Sequence, residues 1–331
     1  MLLIFVKNCF TKEVACRGKG ERKLQIYRLI LAYTGKAENA VGFDEAFSSL
    51  ERARALLDVE GSPTGTLHVS LVSRVFTVAR SLSVKLQPVN LPESGLYVPP
   101  RDGQPPVMLL IILHGFGDGS LSLAKLARGM QLPGVACLVL QGPGRLPSEL
   151  LPPNSNDIGY YWYDNMDLET GDPLIRGDNT LTKSCEGSLR TFKAYIKDVL
   201  IKTVGWESWE IAFLGIGQGG TFALETGRSL EMEFAGLFVL TPDELVLKCP
   251  VSRRCSQRIV IVHGKRDEMP ESSVQRIVRE LESEGDRVEL HELPGEATDV
   301  LKDSKGEGEV LMRFIAARLA AIRMRSLGAE E

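Results

Sequence analysis

The chain has 331 residues, of which 44% are hydrophobic and 25% charged, and its formal net charge is −4 at pH 7. This composition is that of a globular protein, and the slight acidic excess argues against a broad nucleic-acid surface, which would concentrate Lys and Arg on one face. Since no apolar run approaches the roughly 18 residues needed to cross a bilayer, no membrane span is predicted.

The N-terminal part, residues 1–85, differs in pattern from the rest of the chain. Its opening MLLIFV is too short for the apolar region of a secretory signal. Residues 1–30 carry seven Lys or Arg residues but lack the serine enrichment of organelle transit peptides. A solvated basic terminus is therefore predicted, with organelle import as the weaker alternative. Apolar residues at helical spacing predict an amphipathic helix at 43–57, and we expect this extension to contact a protein partner.

From residue 107 onward, short apolar runs alternate with stretches of helical spacing. The runs predict buried parallel strands at 107–113, 135–140, 210–215, 236–240, 258–263 and 287–293. The stretches predict helices at 181–202, 218–230, 272–283 and 309–323. Such alternation indicates βαβ units, and hence an α/β fold with a doubly wound, mostly parallel sheet. We place this domain at 86–325 and a short tail at 326–331.

The cysteines and histidines of the chain form no recognisable metal or disulfide pattern. Six cysteines are scattered without a C-x-x-C pair, and the four histidines are dispersed. We therefore expect no metal and no cofactor, and we expect a reducing compartment, the cytoplasm. His114 and His263 follow strands and are expected to fix turns, His291 is expected to pack within the last strand, and His68 belongs to the extension.

A glycine-rich stretch, GIGQGG at residues 215–220, follows one predicted strand and opens a helix. Gly215, Gly217 and Gly220 have the G-x-G-x-x-G order of a dinucleotide site, although Glu231 and Glu233 lie before the next predicted strand and Asp243 lies late, after it. Alternatively, Gly215, Gly219 and Gly220 match the G-x-S-x-G nucleophile elbow, whose glycines let a strand and a helix pack closely. In that interpretation Gly217 stands where the serine belongs.

Four segments together favour the elbow. LIILHGFGDGS (110–120), QGPGRLP with GYYWYD (141–164), GIGQGG (215–220) and IVIVHGKRDEMP (259–270) occur in this order at the ends of predicted strands. They closely resemble the phospholipase/carboxylesterase family, which includes the acyl-protein thioesterases. The resemblance implies an α/β-hydrolase fold and cleavage of acyl ester or thioester bonds.

The resemblance also implies roles for single residues. Asp267 matches the aspartate of the catalytic triad, and the backbone N–H groups of Phe116 and Gln218 match the oxyanion hole. The resemblance further places an acyl pocket, whose lining residues would be His114, Gly115, Trp162 and Tyr163.

Two triad positions depart from the family pattern. Gly217 occupies the nucleophile position and cannot form an acyl-enzyme, and Thr298 stands at the histidine position, where it cannot act as a base near neutral pH. We therefore expect an inactive hydrolase homologue that acts in binding or assembly, with an acyl or lipid ligand in its groove. The alternatives are an active esterase or thioesterase with a relocated triad, and a nucleotide-binding protein that uses the glycines of 215–220.

Overall fold

The computed structural model describes residues 95–147, 158–248, 255–302 and 308–328. All of them belong to one compact unit, Pro88–Glu331. The extension at 1–85, with its predicted helix at 43–57 and with His68, lies outside the described residues, so its predictions stay predictions.

The unit is built on a seven-stranded sheet. Its order is β1-β3-β2-β6-β7-β8-β9, and every neighbouring pair is parallel except β1 with β3. The strands are β1 (Leu96–Val98), β2 (Met108–Leu113), β3 (Val135–Leu140), β6 (Ile211–Ile216), β7 (Gly236–Leu240), β8 (Arg258–Gly264) and β9 (Arg287–Leu293). A separate antiparallel pair joins β4 (Gly144–Arg145) to β5 (Tyr160–Tyr161). The six predicted strands are confirmed to within one residue.

Five α-helices flank these strands in the described part of the chain. They are α1 (Ser120–Met130), α2 (Asn179–Ala194), α3 (Gln218–Ser229), α4 (Glu271–Ser283) and α5 (Gly308–Gly328). Helix α2 continues as a π-helical segment, Tyr195–Thr203, and two short 3₁₀ turns lie at Ser208–Glu210 and Ala297–Leu301. The four predicted helices are present, α1 is an addition, and α5 runs three residues into the predicted tail at 326–331. None of the described helices is long and apolar enough to cross a membrane.

Burial explains why the strands have continuous apolar sequences. Every residue of β2, β3 and β7 is buried, because these strands lie inside the sheet with other elements on both faces. Strand β9 was predicted to be buried, and this part of the prediction is wrong: its residues are exposed or partly buried, because it lies at the sheet edge. The core thus lies around the middle strands, where β6 ends and α3 begins.

Helix α3 is held in place by a buried ion-pair cluster. Arg228 is paired with Glu225 on the same helix at 3.0 Å, and with Glu280 and Glu284 of the α4 region at 3.1 and 2.6 Å. Glu225 also accepts backbone hydrogen bonds from Val246 and Leu247. Burial raises the pKa of Glu225, although the positive charge of Arg228 acts in the opposite direction. The start of α3 is therefore attached to a well-anchored helix.

Candidate functional site

The turn between β6 and α3 has the shape of a nucleophile elbow. Gly217 is the only residue between strand and helix, and its φ of 50° and ψ of −120° lie outside the helical and extended regions. Its N–H donates to the carbonyl oxygen of Leu240 at 2.9 Å, which ties the turn to the end of β7. This strained strand-to-helix turn is the geometry that presents a nucleophile above the sheet in α/β-hydrolases.

The other three glycines of the stretch are required by packing. A Cβ at Gly215 would lie 2.5 Å from the carbonyl oxygen of Gly219, and one at Gly220 would lie 2.6 Å from Cγ1 of Val239. A Cβ at Gly219 would lie 2.6 Å from the carbonyl oxygen of Leu113 in β2. Close packing between the strands and helix α3 therefore requires glycine at these three positions, whether or not a nucleotide binds.

Gly217 differs from them because a side chain would have room. The nearest atom to a Cβ built there is Cα of Gly115, at 3.9 Å, an ordinary van der Waals contact. Only the positive φ of 50° favours glycine at this position. The turn therefore has space for a side chain at position 217.

A matched pair of substitutions tests this difference. We expect Gly219→Ala to lower the free energy of unfolding by about 2–3 kcal/mol, because its Cβ would collide with the backbone of β2. Gly217→Ala should cost only about 1 kcal/mol, at the lower end of the cost of a sparsely populated φ/ψ region, because its Cβ meets no close atom. Urea unfolding of both variants measures the two losses. Equal losses would contradict the assignment of packing glycines and one open position.

The Asp267 carboxylate lies just beyond β8 and accepts three hydrogen bonds. Oδ2 accepts from the Thr241 hydroxyl at 2.5 Å and from the N–H of Gly264 at 2.6 Å, and Oδ1 accepts from the N–H of Ala297 at 3.0 Å. Its side chain is only 6% exposed, and Nδ1 of His263 lies 3.5 Å from Oδ2. Asp267 thus connects the ends of β7 and β8 to the loop after β9.

Thr298 lies in that loop, directly after Ala297. The loop forms a 3₁₀ turn whose conformation is fixed by Asp299, which accepts from the N–H of Glu296 at 3.1 Å. Asp299 is also paired with Arg266 at 3.4 Å and with Lys302 at 3.2 Å. The structure therefore brings Thr298 next to the residue that Asp267 binds, as the triad order requires.

Thr241 has an uncommon backbone conformation. Its φ is 43°, a left-handed value that β-branched residues rarely adopt. Its N–H donates to the carbonyl oxygen of Val262 at 2.9 Å, while its hydroxyl is bound to Asp267. Strain of this kind costs about 1–3 kcal/mol and collects at functional sites. Sequence reasoning missed Thr241, since nothing in the residue type signals a positive φ.

The predicted oxyanion donors lie beside Gly217. Gln218 is the first residue of α3, a position whose N–H has no acceptor within the helix. Phe116 follows Gly115, whose Cα is the atom nearest to a side chain at Gly217. The buried Gln218 side chain accepts from the N–H of Trp162 at 2.7 Å and donates to the carbonyl oxygen of Tyr163 at 2.8 Å. The loop carrying these aromatic residues is thereby joined to the elbow helix.

The predicted pocket residues His114, Trp162 and Tyr163 are all buried, whereas Gly115 is partly exposed. The Trp162 indole stacks on Phe222 of α3 with ring centroids 5.0 Å apart, and its Nε1 donates to the carbonyl oxygen of His114 at 2.9 Å. These contacts brace the loop against the elbow helix.

His114 fixes the turn after β2. Its Nε2 accepts from the N–H of Gly142 at 2.8 Å, so Nδ1 carries the proton and donates to the carbonyl oxygen of Gly115 at 2.7 Å. Burial lowers the pKa of His114, which keeps the ring neutral. His291 lies in β9 with Nε2 2.8 Å from Glu289. Neither imidazole is directed by these contacts toward Gly217.

A further titratable group, Asp243, lies in the loop after β7. Burial, and secondarily the negative charge of Glu268, raise the pKa of Asp243 to about 6. Its carbonyl oxygen accepts from the Thr221 hydroxyl at 3.0 Å, and the N–H of Thr221 donates to the carbonyl oxygen of Gly217. Asp243 is therefore near the elbow. The sequence marks it only as an acidic residue late after the glycine stretch, because its burial depends on the folded loop.

The raised pKa of Asp243 predicts a pH effect on stability. The folded state disfavours the charged form of Asp243. The contribution of this group to the free energy of unfolding is therefore highest below pH 4 and falls as the pH rises through about 6. We expect Asp243→Asn to be more stable than the wild type by about 1–3 kcal/mol at pH 8 and equally stable at pH 4. Urea unfolding at several pH values measures this difference. A difference that does not change with pH would contradict it.

The fold and the elbow define the class of this protein as an α/β-hydrolase. Residues 100–304 match the model of the phospholipase/carboxylesterase family. Because this match covers more than half of the chain, the protein belongs to that family.

Individual relatives agree with this class. An uncharacterized hydrolase of Mycosarcoma maydis is 31% identical over 134 residues, 40% of this chain and 46% of the relative. An uncharacterized hydrolase of Schizosaccharomyces pombe is 28% identical over 132 residues, 39% of this chain and 51% of the relative. The chain thus spans about half the length of the curated relatives it matches. The crystal structure of a carboxylesterase from Mesorhizobium loti has a TM-score of 0.51 at 20% identity, covers 65% of this chain and 91% of its own, and shares the fold.

Proposed function

We propose that this chain is a non-catalytic member of its family that acts in binding or assembly. The observation that carries the proposal is the elbow, which keeps its strained conformation at Gly217 and has room for a side chain, yet holds none. Without a nucleophile on the elbow, acyl transfer through an acyl-enzyme has no starting point.

The remaining triad positions support the same proposal. Thr298 offers a hydroxyl where a general base is needed, and a hydroxyl does not accept a proton near neutral pH. The Asp267 carboxylate accepts hydrogen bonds from three neutral donors, including the Thr241 hydroxyl. Its role in this chain is to hold together the loops that surround the elbow.

Turnover of short and medium p-nitrophenyl esters by the purified full-length chain tests the proposal. We expect no saturable turnover and no labelling by a serine-directed fluorophosphonate. Loss of triad members from a serine hydrolase lowers kcat about a millionfold. The rate that an oxyanion hole alone could support should therefore be close to the background rate of ester hydrolysis. Saturable turnover that survives repurification would overturn the non-catalytic proposal.

A second candidate function is hydrolysis by a relocated group. Asp243 favours it, because a carboxylate with a pKa of about 6 near the elbow could deprotonate a water molecule. In that case any turnover should rise with pH through about 6 and disappear in Asp243→Asn. Turnover that is unchanged in this variant would remove Asp243 from consideration.

We further propose that residues 1–85 supply contacts to a protein partner and that the surface near the elbow accepts an acyl or lipid group. The full chain and a chain lacking 1–85 can each be mixed with cell extract fractions. Size-exclusion chromatography with multi-angle light scattering would then detect an assembly that forms only with the full chain. Titration with fatty acids tests the acyl ligand. Nucleotide binding stays a weaker prediction, tested by the same titration with NAD or ATP.

A further inference from the structure

A second candidate site lies between the sheet edge and the C-terminal helix. Strands β8 and β9 and helix α5 enclose a groove of about 360 Å³. Its apolar lining includes Val260, Val310 and Phe314. Arg258 and Arg287, the first residues of β8 and β9, line it as well, so it reaches the end of the sheet opposite to the elbow. No step of the proposed function involves this groove.

Three arginines line the groove without a paired carboxylate in the described part of the chain. Arg258 and Arg287 are direct partners in the parallel pairing of β8 with β9, so their side chains leave the same face of the sheet. Arg318 reaches the groove from α5. Among the described residues, no carboxylate lies within 4 Å of any of these guanidinium groups, and the buried Nε of Arg318 has no hydrogen-bond partner.

The other charged residues of the groove are already engaged. Glu289 is bound to His291 at 2.8 Å, and Arg313 is paired with Glu309 at 3.6 Å. Burial lowers the pKa of the Arg318 guanidinium, and the positive charge of Arg258 lowers it further. The groove thus has uncompensated positive charge beside an apolar lining.

Like charges placed opposite each other on neighbouring strands destabilise a sheet. An oxyanion between the arginines would remove the repulsion and would accept charge-assisted, often bidentate, hydrogen bonds. A volume near 360 Å³ lies at the lower end of the range for small-molecule sites, which is too small for a folded partner but sufficient for a phosphate with a compact organic group.

We propose that this groove binds a small phosphate monoester, with its phosphate between Arg258, Arg287 and Arg318 and its organic group against Val260, Val310 and Phe314. The negative charge of the phosphate would balance the positive charges of the three arginines. The organic group covers the apolar lining and distinguishes the ligand from free phosphate.

Calorimetric titration of the full-length chain with phenyl phosphate, in a phosphate-free buffer of low ionic strength, tests the proposal. We expect saturable binding that is at least tenfold tighter than that of inorganic phosphate and that weakens as salt is added. Arg258→Gln and Arg318→Gln should each weaken it at least tenfold. Arg279→Gln, which changes an exposed arginine of α4 outside the groove, should leave it unchanged.

Two outcomes would overturn the proposal. Binding that is equal in the wild type, Arg318→Gln and Arg279→Gln would show an adventitious ion only, as would equal affinity for inorganic phosphate. The unfolding midpoint of Arg258→Gln without ligand gives an independent readout. It should be equal to or higher than that of the wild type because a repulsion is removed, whereas a lower midpoint would show that the arginine serves the fold.

Discussion

The double variant Gly217→Ser, Thr298→His is expected to hydrolyse p-nitrophenyl butyrate at least a hundredfold faster than the wild-type chain. The elbow conformation and the space for a side chain are present at Gly217. The predicted oxyanion donors, the N–H groups of Phe116 and Gln218, belong to the backbone and would need no replacement. Asp267 is hydrogen-bonded to Ala297, the residue before Thr298, and so lies close to the introduced imidazole. A hundredfold gain corresponds to about 2.7 kcal/mol of transition-state stabilisation, well below what a mature triad supplies.

Single variants and a triple variant separate the contributions. Gly217→Ser alone should react slowly with a fluorophosphonate and show little turnover, because its hydroxyl has no base. Thr298→His alone should resemble the wild type. Adding Asp267→Ala to the double variant should reduce the gain. A correctly folded double variant without any gain would contradict the claim that the scaffold keeps the geometry of its family.

The second large effect is expected on stability. Asp267→Ala should lower the free energy of unfolding by about 3–5 kcal/mol, because it removes three hydrogen bonds to a buried carboxylate. The N–H groups of Gly264 and Ala297 would then lose their partner in a site with little access to water. Thr241 would lose the contact that accompanies its strained backbone. Denaturant unfolding followed by circular dichroism measures the loss.

Asp198→Ala is the matched control for this substitution. Asp198 is an exposed carboxylate on the π-helical segment whose side chain is paired only with the exposed Lys202, at 2.7 Å, among the described residues. Exposed pairs of this kind contribute about 0.3–0.5 kcal/mol. A loss in Asp267→Ala as small as that of the control would mean that Asp267 is not a structural anchor.

The middle strands could be predicted because their burial is complete. A strand such as β2 carries apolar residues at every position, and a pattern of that kind survives without tertiary information. Helix α1 was not predicted, although its buried Leu123, Ala124 and Ala127 have helical spacing, because it follows the glycine-rich HGFGDGS turn so closely. The two-residue strands β4 and β5 are too short to carry any pattern.

For the candidate site, the sequence indicated which residues matter but not which side chains contact one another. The glycine order fitted both a dinucleotide site and an elbow, and the four family-like segments favoured the elbow, while only the structure shows that Gly217 alone among its glycines has room for a side chain. The Thr241 hydroxyl and the buried Asp243 became visible only when loops distant in sequence were brought together. Such contacts depend on tertiary packing, for which neither residue type nor spacing is informative.

The stacked indole of Trp162 gives the elbow an optical signal. The chain has three tryptophans, and Trp162 is the one that is stacked on Phe222 of the elbow helix and hydrogen-bonded to the turn after β2. A rigid indole in a chiral, asymmetric environment contributes bands to the near-ultraviolet circular dichroism spectrum. Any ligand or partner that shifts the elbow should therefore alter these bands, so its binding can be followed by circular dichroism without a coupled assay.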